Sequence, residues 1–178
     1  MRWLTVLWGL GGVLLMLVRA ISRLAPHAVD ALGMPLDPVH VLFAVVWVAF
    51  MAIAEGYRGF QQRFVPMAVA RAFHLADHPH TLRLVLAPLF CMGFFHGTAR
   101  RLRATWGLTL MIVALVALLR VTPQPWRGLV DLGVVVGLSW GAVAIVVQAA
   151  HAWRAGAPGD PELPHGASLG RSPDAELK

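Results

Sequence analysis

Apolar residues fall along this chain in long unbroken blocks. Trp3–Val18, Leu84–Ala99 and Ala104–Leu119 each run sixteen residues without a charge, Pro38–Ala54 runs seventeen, and Leu132–Trp153 runs twenty-two. A helix needs roughly 17–25 apolar residues to cross the hydrocarbon core, and arginines at its ends can reach back to the headgroups. The blocks predict an all-α integral membrane protein. The alternating strands of about ten residues that build a membrane β-barrel are absent from the pattern.

The first block, with Arg2 before it, has the outline of a signal peptide, but Arg19 interrupts the small-residue cleavage pattern. It is expected to stay as an uncleaved first span, from about Trp3 to Leu24. The stretch Ala25–Asp37 reads as a connection broken by Pro26 and Pro35. A second span starts at Pro38, a residue suited to the first helical turn, and runs to about Tyr57. Phe64 to His78 then reads as an amphipathic helix lying in the membrane interface. At 100° per residue, Arg63, Arg71, His74 and His78 share one side and Val69 and Phe73 the other. Ala104–Leu119 is a further span. The last is expected from about Leu129 to Trp153, and it carries Gly133, Gly137 and Gly141 at every fourth position. Such a row lets a neighbouring backbone approach closely, and the glycines of the first span (Gly11 and Gly12) are the expected partner.

Leu84–Ala99 decides the threading. It is long enough to cross, yet it contains Pro88, Gly93, His96 and Gly97 and is followed by three arginines. If it crosses, the five spans divide the basic residues seven against eight. If it dips in and returns to the same side, they divide eleven against four. Cytoplasmic loops carry the excess of Lys and Arg, so the second arrangement is preferred. The expected fold is four transmembrane helices plus a re-entrant or half-inserted helical segment and an interfacial amphipathic helix, with five transmembrane helices as the alternative. Residues 1–154 form one polytopic domain, and 155–178, rich in Pro, Gly, Ala and Ser, is expected to be a disordered tail.

Composition agrees with this reading. Hydrophobic residues make up 58% and charged residues 13%, against about 25% charged in a soluble domain. The net charge of +6 is spread over membrane-flanking loops, which is a topology signal and not a nucleic-acid footprint. The expected location is a bacterial-type inner membrane with both termini cytoplasmic. Expected partners are the lipid bilayer and further copies or other membrane subunits. Cys91 is the sole cysteine, which excludes an intrachain disulfide.

Few polar groups are candidates for chemistry. His74, Asp77, His78 and His80 have the spacing H-x3-H-x-H, and two histidines four apart on a helix can share a metal. The cluster resembles one histidine box of the membrane di-iron desaturases and hydroxylases, which use several. His40, His96 and His151 lie in or beside apolar blocks, and two of them could ligate a haem between helices, His96 and His151 being the pair on the cytoplasmic side. Glu55, Arg58 and Asp131 are charges in or near spans, where charge is costly and often functional. Glu55 and Arg58 are three apart and expected to pair along one helix face. The run Glu55-Gly-Tyr-Arg58 resembles, in two residue types only, the loop of small four-helix glutathione-dependent membrane enzymes, and no residue role carries over. Walker, GxSxG and HExxH motifs are absent. The expectation is a structural, accessory or assembly protein without catalysis of its own. The alternatives are a membrane enzyme or redox protein with histidine-bound metal or haem near the cytoplasmic face, and a small transporter subunit.

Overall fold

The computed structural model describes residues 2–78, 81–95 and 98–156, and everything below refers to these. They form helices α1 (Arg2–Leu32), α2 (Pro38–Met51), a π-helical segment (Ala52–Phe64), α3 (Val65–Asp77), α4 (Thr81–Val85), α5 (Ala87–Met92), α6 (Ala99–Arg120) and α7 (Trp126–Ala155). No strand occurs among the described residues. Three helical stretches are long and apolar enough to cross a membrane: Trp3–Leu32, Pro38–Asp77 and Trp126–Ala155.

α1 and α7 run antiparallel over most of their length. Trp3 stacks on Trp153 at 3.8 Å between ring centroids, and at the other end the Arg127 guanidinium lies 3.0 Å from His27 Nε2. The seam uses helical spacing. Val6, Leu10, Val13 and Leu17 of α1 form one buried stripe, meeting Val65, Ala68, Val69 and Ala72 of α3 and Ile145 and Ala152 of α7. α1 does not stop near Leu24 as Pro26 suggests. It continues to Leu32 because Ala28 and Ala31 are buried, and the missing side chain of Gly128 on α7 leaves room for the His27 carbonyl and Ala31. Close tertiary packing overrides the proline break there.

The second span and the expected interfacial helix are one continuous helix of 40 residues, Pro38–Asp77. Its middle, Ala52–Phe64, is π-helical, so each residue bonds to the one five positions on. Only Phe64 of that segment lies between Arg63 and Arg71, and the polar side of α3 is lost for another reason: the helix is covered all round, with Met67 to Phe73 all buried. Arg63 is exposed, while Arg71 and Phe73 are both buried. Phe73 packs as the amphipathic reading requires, and Arg71 does not face water.

The row on α7 packs within this chain, against the second long helix and not against α1. A side chain on Gly133 would meet Trp47, one on Gly137 would meet Glu55, and one on Gly141 would meet Phe60. Indole bonds tie the same seam: Trp47 Nε1 donates to the Val130 carbonyl at 3.0 Å, and Trp140 Nε1 to Gln61 Oε1 at 2.8 Å. On α1, Gly12 abuts Pro88 of α5, Gly9 faces Cys91, and Gly11 faces open space.

Leu84–Ala99 holds no single long helix. α4 and α5 are separated at Leu86, Pro88 sits in the first turn of α5, and Gly93 ends α5 in the left-handed conformation at φ 82°. α6 follows and differs from the rest: it makes no sustained packing contact with any other helix.

Candidate functional site

Two buried polar centres lie at opposite ends of the bundle. The first is Arg71. Its side chain has no exposure, and one guanidinium nitrogen donates to the carbonyls of Phe90, at 2.9 Å, and Phe95, at 3.3 Å. The guanidinium carbon lies 5.1 Å from the centre of the Phe90 ring, and that of Arg83 lies 5.7 Å from the same ring. Phe90 is in α5, so Arg71 binds α3 to the C-terminal end of that short helix, where a cation is favoured and the Phe90 carbonyl also accepts from the Gly93 amide at 3.0 Å. Next to it, burial pushes the Cys91 thiol up to about 12, against a weaker opposite pull from Arg71. This thiol is a packing group, protonated at neutral pH.

The second centre joins the ends of α1, α2 and α7. Arg127 contacts His27, and Asp131 lies one turn deeper along the same face of α7. Gln124 closes the corner, donating to the His27 carbonyl at 3.4 Å and accepting from the Gly128 amide at 3.0 Å. His40 of α2 lies against Trp126, with 4.6 Å between centroids, and its Nδ1 is 3.8 Å from Asp37. Arg127 Nε, Asp131 Oδ2 and His40 Nδ1 are buried without a hydrogen-bond partner. Buried polar atoms are satisfied in the great majority of cases, so three orphans at one end of three helices mark this corner as the polar site to test.

Asp131 and His40 are thus the sequence candidates placed in this buried polar cluster. Glu55 sits in the π-helical segment against Gly137, six residues or about 9 Å further along α7, and does not join it. No ion pair between Glu55 and Arg58 occurs among the described residues. π-Helical winding removes the shared face that three-residue spacing gives an α-helix. His74 and His78 stack at 4.8 Å between centroids, while His80 and His96 lie outside the described residues. Among the described residues no three His, Cys, Asp or Glu side chains are grouped to hold a metal. His151 is exposed and lines an open groove of about 760 Å³ along the outer face of α7.

His27, Gln124 and Arg127 escaped the sequence reading. Arg127 and Asp131 are four apart, a spacing that can be read from sequence, but their environment depends on His27. That residue comes from a stretch that Pro26 and Pro35 mark as a loop. No family model matches this chain, and neither a curated protein nor a solved structure is similar to it.

Proposed function

We propose that this chain is a small multi-pass inner-membrane protein of structural, accessory or assembly role, without catalysis of its own. α6 carries the reading. Leu110, Met111, Ile112 and Val113 are consecutive and each is about half exposed or more, from 49% to 65%. Four consecutive residues cover most of a helix circumference, so α6 is open on every side. Helices in lipid are held by close packing rather than by hydrophobicity, and among the described residues no other helix packs along α6. A helix of this kind serves to join another membrane chain. A benzophenone photo-crosslinker at Leu110, activated in native membranes, is expected to capture protein; capture of lipid alone would overturn the role.

The proposed threading has four spans, α4 and α5 as a half-inserted segment, and cytoplasmic termini. The contact between Arg127 and His27 supports it, because five crossings would put those residues on opposite sides of the membrane. A second reading, a small transporter subunit, is favoured by Asp131. This residue is 2% exposed, has an unpartnered carboxylate oxygen and lies inside an apolar helix. Asp131→Asn would abolish proton-coupled solute uptake in vesicles under that reading and leave it untouched under the first.

A further inference from the structure

α6 and α7 are joined by five residues, Val121–Pro125. Helices joined this closely usually pack as neighbours. Here they do not, and the hinge explains why. Pro123 and Pro125 stiffen it, and Gln124 between them is pinned to α1 and to the first turn of α7. α6 is therefore held away from the helix that follows it. α7 in turn keeps an open groove on its outer face, from Val135 to His151, with Trp140 and Val143 at its middle.

Helix and groove match in length. The apolar stretch of α6 is Thr105–Arg120, sixteen residues or about 24 Å, and the groove extends for about the same distance along α7. Both also carry polar groups at one shared end. α6 begins at the end of the bundle where α7 finishes, because Phe94, after α5, packs edge-on against Trp106, and Trp3 stacks on Trp153. At that end α6 carries Thr105 and Thr109 and the groove carries Gln148 and His151. Toward the other end the groove carries Ser139 among Val135, Val136 and Trp140, with Gln61 of the π-helical segment bonded to Trp140, and α6 is apolar up to Arg120 at its tip. Gly107 gives a third sign. The glycines buried on α7 each abut another element, whereas a side chain on Gly107 would meet nothing within 4 Å.

We propose that two copies of this chain exchange α6, each seating Thr105–Arg120 in the groove on α7 of the other. The two contacts are equivalent by a two-fold axis, and the exchange closes with both copies of α6 and of the α7 groove paired. This rests on the assembly reading above and names a second copy as the partner.

The test uses two differently tagged full-length copies in one membrane, both carrying Cys91→Ala. One carries Val113→Cys, at the middle of α6, and the other Val143→Cys, at the middle of the groove. Mild oxidation is expected to give a disulfide between the two tags, repeated at the best register when Leu110 and Val116 are scanned in place of Val113. Val143→Trp in both copies, which fills the groove at an exposed position, is expected to abolish co-purification of the tags, a readout independent of register. A bridge that forms only within a single chain carrying both cysteines would overturn the exchange, with α6 folding onto its own α7. Tags that never co-purify would also overturn it. A photo-crosslinker at Val113 separates the two proposals. Capture of an unrelated membrane protein leaves the assembly role standing without the exchange, and capture of lipid alone ends both.

Discussion

Arg71 donates to the carbonyls of Phe90 and Phe95 from a fully buried position, so removing its guanidinium takes a charged donor from both, although the Phe90 carbonyl keeps the Gly93 amide at 3.0 Å. A hydrogen bond to a charged group contributes about 1.5–3 kcal/mol. Arg71→Leu is therefore expected to cost about 2–4 kcal/mol, read as a lower thermal midpoint in detergent, and to expose the α4–α5 region to limited proteolysis. A water-facing Arg71 would give no change. The sequence could not place it, because the period of α3 marks a polar side but does not show that α5 covers that side. Cys91 tests the same neighbourhood. Only the thiolate reacts with maleimide, and this thiol is fully buried and held near 12. The native chain is expected to stay unlabelled at pH 8 and to label fully in denaturant; labelling of the folded chain would place Cys91 at a surface.

At the scale of elements, the glycines separate packed faces from open ones. A methyl on Gly141 would lie 2.6 Å from the Phe60 ring, and one on Gly12 would run into Pro88. Overpacking of this kind costs about 1–3 kcal/mol. Gly11→Ala meets nothing and gains up to about 1 kcal/mol of helix propensity. Thermal unfolding should therefore rank Gly11→Ala at or above the native chain and Gly12→Ala and Gly141→Ala below it, and equal midpoints for Gly11→Ala and Gly12→Ala would refute the α1–α5 contact. Here spacing was informative and partnership was not. Glycines at every fourth position on α7 announce a close approach, but the period of one helix says nothing about which other helix fills it. The Trp47, Glu55 and Phe60 side chains that do so recur at the spacing of a second long helix, and that helix was hidden because the sequence reads as a span ending near Tyr57 and a separate interfacial helix from Phe64. The same limit hid the corner of His27, Arg127 and Asp131, because His27 is a hundred residues from Arg127 and reaches it only when α1 continues past Pro26.

For the whole molecule, threading is the property that both the charge pattern and the packing bear on, by independent physics. Counting arginines weighs the cost of moving charge across a membrane during insertion and needs no contacts. The antiparallel pairing of α1 with α7 weighs side-chain fit and needs no membrane. Both favour an even number of crossings, the first through the excess of basic residues on one side and the second through His27 and Arg127. Single cysteines at Met34, Val121, His78 and Gly156, all exposed, distinguish the threadings when placed one at a time in a chain carrying Cys91→Ala. With four spans, a membrane-impermeant maleimide added to spheroplasts is expected to label Met34→Cys and Val121→Cys. His78→Cys and Gly156→Cys should label only after the membrane is opened. Val121 is the deciding position. With five spans the hinge between α6 and α7 moves to the side of His78, so Val121→Cys would be protected while Gly156→Cys labelled from outside. That result would also separate Arg127 from His27 by the thickness of the bilayer and dissolve the polar corner.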